Sequence, residues 1–285
     1  MMKFSGSTLA YREFPLVKAL ESLAGLEFKY VDIAAVRGYC RYHDICHIDP
    51  RTMFKENVNV LKEKLDSLGL KVASINAYWG AFNSLHNDAR LTQIEFIKAA
   101  MNLARDLDSN VVCTWFGEET DLPLEKSIEL SLKGANECVK YGKDLGVHLA
   151  FEIHIPPAIM KTVEEAIEIM TKSPDAAICL DVSHIAAAQF AGWSHVAYTE
   201  SVKKLDKRIG HVHLRDAKGY NIFVPPGKGE IDFPKFISEL KNINYQDGCT
   251  LELEFAYMRI EEIEKEMKDS INYLKTCFSY AGIKV

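Results

Sequence analysis

The chain lacks any apolar stretch that approaches the roughly 20 residues needed to cross a bilayer. Its first residues, MMKFSGSTLAYREF, also lack the basic region and the long apolar region of a secretory signal. We therefore expect a cytoplasmic protein without a membrane partner. Apolar residues make up 48% of the sequence and charged residues 26%, which is typical of a globular protein.

A basic stripe is also missing from the sequence. The 34 Lys and Arg residues are outnumbered by 40 Asp and Glu residues, and the formal net charge is −6. The basic side chains are spread through helix-like segments beside acidic ones, whereas proteins that bind nucleic-acid phosphates concentrate them on one face. We expect no nucleic-acid partner and a small molecule as the substrate.

The cysteines do not follow the pattern of a disulfide framework. There are seven, an odd number, and they are scattered along the chain. Such cysteines are typical of small buried hydrophobic side chains in a reducing compartment. The one local cluster, Cys40 to Cys46 followed by His47, does not have the spacing of a usual structural zinc site.

Short apolar runs alternate with longer amphipathic segments from end to end, and no low-complexity linker divides them. The periodicity predicts strands at about residues 3–9, 27–33, 71–78, 110–115, 147–153, 176–181, 209–214 and 249–255. It predicts helices near residues 14–25, 51–69, 90–108, 125–145, 162–172, 195–205, 234–243 and 260–280. This α/β pattern is typical of a (β/α)8 TIM barrel, with one domain over residues 1–285. The irregular stretches 34–50 and 216–231 follow strands and are expected to cover the active face.

Four side chains of metal-binding type stand at the ends of consecutive strand-like runs: Glu152 in LAFE, Asp181 in ICLD, His213 in HVH and Glu252 in TLE. Large apolar residues flank each of them, so the four polar groups share the inward face of their strands. Buried carboxylates need a cation or a partner, which predicts a common divalent ion. Three oxygen ligands and one imidazole suit Mn²⁺ first, or Mg²⁺, with Co²⁺ and Zn²⁺ as alternatives. Glu254 shares the parity of Glu252 and stays open as the alternative ligand.

Further candidates near the same strand ends would bind the substrate: His154, His184, Arg215 and Lys228. A histidine bonded to backbone at a helix start explains His184 without a function, and a solvated turn explains Lys228 in PGKG. His211 also points inward and is expected to orient a metal ligand. Weaker candidates for the lining of the site are His43, His47, Trp79, Trp115 and Glu118.

The chain resembles the xylose isomerase-like TIM barrels, grouped as sugar phosphate isomerases and epimerases, in the segments FEIH, CLDVSH, GHVHLRDA, PGKGEIDFPKFISELK and NYQDGCTLELEF. Two segments of the first half agree more loosely, LVKALESLAGLEFKYVDI and DARLTQIEFIKAAMNLARDLDSNVV. The resemblance therefore spans nearly the whole chain, and its specific part is the second half.

The resemblance implies that one divalent ion is held by Glu152, Asp181, His213 and Glu252. Glu252 is favoured over Glu254 because its distance from Tyr245 matches the family's spacing. In ketose 3-epimerases of the family the two glutamates also act as acid and base, which makes Glu152 and Glu252 catalytic, and the equivalent of His184 binds a substrate oxygen.

Two positions depart from those epimerases. Gly219 and Ala158 stand where they carry an arginine and a glutamate. The FEIH and HVHLRDA segments look more like the inosose dehydratase-like and unassigned isomerase branches. We thus expect a metal-dependent sugar isomerase or epimerase that abstracts a proton next to a carbonyl and forms a metal-bound enediolate. The alternatives are an inosose dehydratase-like lyase, a phosphodiesterase resembling endonuclease IV, and a non-catalytic metabolite-binding barrel. Family members often associate through the outer helices, so a homo-oligomer is a further expectation.

Overall fold

The computed structural model describes residues 2–38, 40 and 44–285. In these residues, eight parallel strands close into a barrel in which the last strand pairs with the first. In chain order they are β1 (Lys3–Ser7), β2 (Tyr30–Ala34), β3 (Lys71–Asn76), β4 (Val111–Trp115), β5 (His148–Glu152), β6 (Ala177–Asp181), β7 (Ile209–Leu214) and β10 (Gly248–Leu251). Between β7 and β10, β8 (Asp216–Lys218) and β9 (Asn221–Val224) form an antiparallel hairpin outside the barrel. The predicted (β/α)8 TIM barrel is confirmed.

Helices connect the strands and cover the outside of the barrel. They are α1 (Leu16–Gly25), α2 (Lys55–Ser67), α3 (Asn87–Asp106), α4 (Leu124–Leu145), α5 (Val163–Thr171), α6 (Val182–Phe190), α7 (Tyr198–Leu205), α8 (Phe233–Asn242) and α9 (Ile260–Tyr280). Local signals set several of their ends. Gly146 ends α4 with a φ of 73°, a conformation that glycine adopts without strain. Asp232 caps α8 by accepting a hydrogen bond from the backbone N–H of Lys235 at 3.0 Å.

The sequence did not predict α6, which begins directly after β6. Residues 182–188 are all buried, so this helix has no polar face and its sequence shows no amphipathic period. Its start is fixed by Asp181, whose Oδ1 accepts the backbone N–H of Ser183 at 2.7 Å. His184 therefore lies in the first turn of a helix whose cap is a candidate metal ligand.

The stretch 216–231 contains the β8–β9 hairpin, where the sequence indicated an irregular loop. Its return path is held by the buried carboxylate of Asp216, which accepts backbone N–H groups of Ala217, Gly227, Gly229 and Ile231 at 2.8–3.1 Å. A Cβ at Gly229 would lie 2.3 Å from Asp216 Oδ1, so only glycine fits there. The PGKG segment is thus a turn built around one carboxylate.

Inward and outward side chains of the strands belong to different layers. Phe151, Leu180 and Leu214 pack in the large core between the barrel and the helices. Ala150 and Cys179 point the other way, into a small cluster inside the barrel. This alternation agrees with the parity expected from the sequence. Deeper in the barrel the inward groups are polar, and His211 Nε2 lies 2.7 Å from Thr250 Oγ1 and 3.2 Å from Ser74 Oγ.

Two cysteines differ from the expectation of unpaired thiols. Cys40 and Cys46 form a disulfide bond, with their Cα atoms 5.4 Å apart. The loop folds back on itself because the backbone N–H of Cys46 donates to Val36 O at 2.9 Å, and the sequence spacing alone did not reveal this turn. In the described residues, no helix combines the length and the apolar composition needed to cross a membrane.

Candidate metal centre

The four predicted metal ligands meet at one end of the barrel. Glu152, Asp181 and His213 lie on the neighbouring strands β5, β6 and β7, and Glu252 directly follows β10. One donor atom from each lies within 4.8 Å of the others, and all four residues are buried. They converge because the carboxyl ends of parallel strands meet at one face of the barrel.

The imidazole of His213 stands between the two glutamates. Its Nδ1 lies 2.8 Å from Glu152 Oε1 and 3.3 Å from Glu252 Oε2. Burial alone would lower the pKa of His213, but the charges of Glu252 and Glu152 raise it well above its ordinary value. Burial raises the pKa of Glu252, and the nearby carboxylates of Glu152 and Asp181 raise it further. The nitrogen and oxygens that a cation would use thus face one another.

Arg215 lies beside the cluster and is fully buried. Its Nη2 donates to Asp181 Oδ2 at 2.7 Å and lies 3.3 Å from Glu252 Oε2, while its Nη1 pairs with Glu254. Burial alone would raise the pKa of the Asp181 carboxyl. The charge of the Arg215 guanidinium outweighs this effect and holds that pKa well below its usual range. Glu254 also pairs with Arg12 at 3.4 Å and is not part of the four-residue cluster. The structure therefore brings Glu252, and not Glu254, to the centre.

The chemistry of this donor set fits a divalent cation. A cation about 2.1 Å from each ligand places its ligands about 3–4.2 Å apart, and the four donor atoms lie within 4.8 Å of one another. The carboxyl groups of Glu152, Asp181 and Glu252 lie close together, and a cation would offset the repulsion that helps to raise the pKa of Glu252. Three three-residue groups in the described ranges are equally compact, and each shares a residue with the larger cluster: Cys113, His211 and His213; Glu152, Cys179 and His213; and Glu152, His154 and His184.

Two N–H donors fix the glutamates. Trp115 Nε1 donates to Glu152 Oε2 at 3.1 Å, and Asn76 Nδ2 donates to Glu252 Oε1 at 2.8 Å. Trp115 was a weak candidate in the sequence, and Asn76 was missed. Asn76 and Tyr78 follow the inward parity of Ser74 in β3, which is the signal that could have found them.

His154 and His184 stack on each other beside the cluster, with ring centroids 3.7 Å apart. Burial lowers the pKa of both imidazoles, so both are neutral near pH 7. His184 Nε2 lies 3.0 Å from Arg215 Nη2 and accepts its N–H, because a guanidinium can only donate. His154 Nδ1 lies 2.6 Å from the carbonyl of Ile155 and donates to it. The sequence prediction that these side chains lie near the strand-end cluster agrees with their positions.

A small cavity of about 20 Å³ opens at the cluster. Its walls combine carboxylates and Arg215 with apolar and aromatic groups, and they comprise Leu9, Val36, Tyr78, Trp115, Glu152, His154, Arg215, Glu252 and Glu254. Burial raises the pKa of the Tyr78 phenol well above its ordinary value, and the charge of Glu152 adds to this. The lining offers charged and apolar groups side by side, and its volume is about that of one water molecule.

Lys228 does not lie with the other residues that were predicted to bind the substrate. It is half exposed, and its Nζ pairs with Glu266 of α9. Its role in substrate binding stays a prediction, without a contact to the cluster that supports it. Among the weaker candidates, His43 lies outside the described residues, His47 Nε2 bonds to Thr8 O at 2.9 Å, and Trp79 lies against Arg37 at 4.3 Å. A Cβ at Gly80 would clash with the carboxylate of Glu118, so this side chain lies over that glycine.

Comparison with known proteins agrees with this fold. The sequence pattern of the family described as xylose isomerase-like TIM barrel matches residues 20–277. The chain belongs to this family. The resemblance found in the sequence is thereby confirmed, and the members and neighbours of the family are mostly enzymes.

Similar proteins include enzymes of sugars and polyols. An inosose dehydratase of Clostridium beijerinckii is 24% identical over 234 residues, which cover 70% of this chain and 75% of that protein. A crystal structure of a D-tagatose 3-epimerase-like protein superimposes with a TM-score of 0.77 and 24% identity, covering 98% of this chain and 99% of that one. The IolI protein, crystallised with a zinc atom, superimposes with a TM-score of 0.76 and 22% identity, covering 98% and 100%. At these identities the two structures establish the shared fold.

Proposed function

We propose that the protein is a divalent-metal-dependent isomerase or epimerase of a ketose or a related keto-polyol. The observation that carries this proposal is the convergence of Glu152 and Glu252 on one cluster with Asp181 and His213. Both glutamates line the same small cavity, and a sugar that widens it on binding would place a carbon atom beside both carboxylates. The inosose dehydratase and the epimerase-like protein among its relatives support a sugar or polyol as the substrate.

A divalent cation held by Glu152, Asp181, His213 and Glu252 would act as a Lewis acid on a substrate carbonyl and its neighbouring hydroxyl, and Mn²⁺ is our first candidate. The two glutamates transfer the protons. One removes the proton from the hydroxyl-bearing carbon next to the carbonyl, and the other returns a proton to the substrate. Return to the opposite face of the same carbon gives an epimer, and return to the neighbouring carbon gives an isomer.

The surrounding residues hold these acids and bases in position. Trp115 and Asn76 each donate to one carboxylate oxygen of a glutamate, which fixes the direction of the remaining lone pairs. His184 and His154 are neutral and close to the cluster, so each offers a hydrogen bond to a sugar oxygen without adding charge. Arg215 lines the cavity and donates a hydrogen bond to Asp181. We assign it a role in substrate binding and a role in positioning Asp181. Lys228 is left out of the mechanism because its ammonium pairs with Glu266.

A lyase of the inosose dehydratase type is the second candidate. Gly219 and Ala158 occupy the places of an arginine and a glutamate of the ketose 3-epimerases, and an inosose dehydratase is among the relatives. Such a reaction begins with the same proton removal. The hydroxyl on the next carbon then leaves with a proton as water, and a carbon–carbon double bond forms.

Solvent exchange in deuterated water tests the proposal. The protein is stripped of metal, reloaded with Mn²⁺ and incubated with D-fructose, D-tagatose or an inosose, and the sugars are read by NMR and mass spectrometry. We expect deuterium at the carbon next to the carbonyl, loss of this exchange on chelation, and its return with Mn²⁺. A product lighter by one water would select the lyase. Binding of these sugars without label in any of them would refute proton abstraction.

Matched variants assign the exchange to the glutamates. Glu152→Gln and Glu252→Gln remove the base and should abolish exchange. Glu262→Gln changes an exposed glutamate that pairs with Arg259 and should leave exchange unchanged. Equal rates in all three variants would show that the label enters by another route.

A further inference from the structure

Tyr78 is a buried residue of the site that the mechanism above does not use. It follows β3, its side chain is 5% exposed, and its ring packs against Trp115 with centroids 5.4 Å apart. Its backbone carbonyl accepts the N–H of Arg37 at 2.9 Å, so the main chain that carries the ring is fixed. The side chain lines the same cavity as Glu152 and Glu252.

The phenol hydroxyl of Tyr78 is buried and has no hydrogen-bond partner among residues 2–38, 40 and 44–285. Folded proteins satisfy the large majority of buried polar atoms, because a buried hydroxyl without a partner is destabilising. Other unsatisfied atoms in the described part include Thr114 Oγ1 and Ser270 Oγ, whose side chains do not line this cavity, and Arg215 Nε, whose side chain does. Arg215 has other N–H groups that bond to Asp181 and Glu254, whereas the hydroxyl is the one polar group of the Tyr78 side chain.

We propose that Tyr78 is a substrate-binding residue whose hydroxyl donates a hydrogen bond to a sugar oxygen beside the Glu152 and Glu252 carboxylates. The inference rests on the proposed function for the class of ligand, a neutral ketose or keto-polyol. Such a ligand supplies what the hydroxyl lacks, since each of its oxygens accepts a hydrogen bond. Ionised carboxylates accept but do not donate, so the hydroxyl of Tyr78 adds a donor to the lining that Glu152 and Glu252 share.

If the hydroxyl of Tyr78 had a structural role, its removal would lower the stability of the folded protein. Tyr245 shows what such a role looks like: it is also buried, and its hydroxyl donates to Gly248 O at 2.8 Å. Removing that hydroxyl leaves a carbonyl without its donor and lowers stability. Removing the hydroxyl of Tyr78 leaves no protein group unsatisfied in the described ranges, so the folded state should be as stable as before or more stable.

The experiment compares Tyr78→Phe with the matched control Tyr245→Phe in the full-length, Mn²⁺-loaded protein. Thermal unfolding without sugar is followed by titration with D-fructose, D-tagatose and an inosose. For Tyr78→Phe we expect an unchanged or higher Tm and a sugar affinity lowered by about 3- to 10-fold. For Tyr245→Phe we expect a lower Tm and unchanged affinity. A lower Tm with unchanged affinity in Tyr78→Phe would overturn the inference.

Monodeoxy analogues of the sugar that binds best locate the contact. The wild type should lose affinity for the analogue that lacks the oxygen next to Tyr78, and Tyr78→Phe should bind this analogue and the parent sugar equally. Identical relative affinities of wild type and variant across the deoxy series would refute the contact, and so would a wild type that binds none of the three sugars. Sugar binding without solvent exchange would instead refute the proposed function, and the comparison at Tyr78 would still be decided.

Discussion

Trp115 donates its indole N–H to Glu152 Oε2 across 3.1 Å, and the two residues are direct partners in the pairing of β4 with β5. The indole nitrogen can only donate a hydrogen bond, so Oε2 of Glu152 is the acceptor. The other oxygen, Oε1, is left to face His213 Nδ1 at 2.8 Å. The strand register thus determines how a proposed catalytic carboxylate is oriented toward the candidate metal centre.

Loss of this hydrogen bond should impair proton transfer. Trp115→Phe keeps an aromatic wall but removes the donor, and hydrogen bonds to charged groups contribute about 1.5–3 kcal/mol, so we expect kcat/KM for exchange to fall about 10- to 100-fold. Steady-state kinetics of solvent exchange measure this. Trp193→Phe, at an exposed tryptophan, is the control and should retain the wild-type rate. Rates for Trp115→Phe within about twofold of wild type would contradict the role of the indole.

Glu252 and Glu254 can be separated by their effect on metal binding. A cation at about 100 times its Kd stabilises the folded state by about 2.7 kcal/mol, or about 5–10 °C in Tm. Glu252→Gln removes a cluster ligand and should lose most of this increase on Mn²⁺ addition, whereas Glu254→Gln removes a partner of Arg215 and should keep it. Thermal unfolding with and without Mn²⁺ gives the comparison. The reverse pattern would make Glu254 the ligand.

Arg215 should be required for stability in the absence of metal. Arg215→Met leaves the buried carboxylates of Asp181, Glu252 and Glu254 without their shared cation, and breaking buried pairs typically costs about 3–5 kcal/mol. Urea unfolding of the metal-free protein measures the loss, and Mn²⁺ should recover part of it. Arg105→Met, which breaks an exposed pair with Asp106, should change stability by less than about 1 kcal/mol. An Arg215→Met protein as stable as wild type without metal would contradict this account.

The stability of the protein should depend on pH through Asp32. Burial raises the pKa of this carboxyl to about 6, although the charge of His213 and hydrogen bonds from Ser74 and Ser7 oppose the shift. In the unfolded chain an aspartate titrates near pH 3.9, so the folded protein keeps a proton that the unfolded chain releases. The resulting stabilisation is complete below about pH 4 and is lost as the pH rises through about 6, in total about 2–3 kcal/mol.

Asp32→Asn removes this titration. The free energy of unfolding of the variant, relative to wild type, should increase by about 2–3 kcal/mol between pH 4 and pH 7. Urea unfolding at a series of pH values measures the difference. Asp175→Asn, at an exposed aspartate that pairs with Lys143, is the control. Its free energy of unfolding should change with pH in the same way as that of the wild type. Parallel curves for Asp32→Asn would show that Asp32 titrates normally in the folded protein.

Local sequence was enough to predict the barrel and the positions of its strand ends. Strand-length apolar runs alternating with amphipathic segments allow few other folds, and a residue that ends such a run must lie at the active face of a parallel barrel. Glu152, Asp181 and His213 could therefore be grouped without coordinates. The helix α6 and the β8–β9 hairpin could not. The first seven residues of α6 are all buried, which hides its period, and the hairpin is held by the single carboxylate of Asp216.

The sequence by itself determined which side chains point into the barrel, because the alternation along a strand is a local property of the backbone. Only the tertiary structure decided which of these groups touch one another. In the folded protein Asn76 donates a hydrogen bond to Glu252. Glu254 forms an ion pair with Arg215, and Lys228 forms one with Glu266. These choices depend on distances between residues far apart in the chain, which the closure of the barrel sets and the local pattern does not encode.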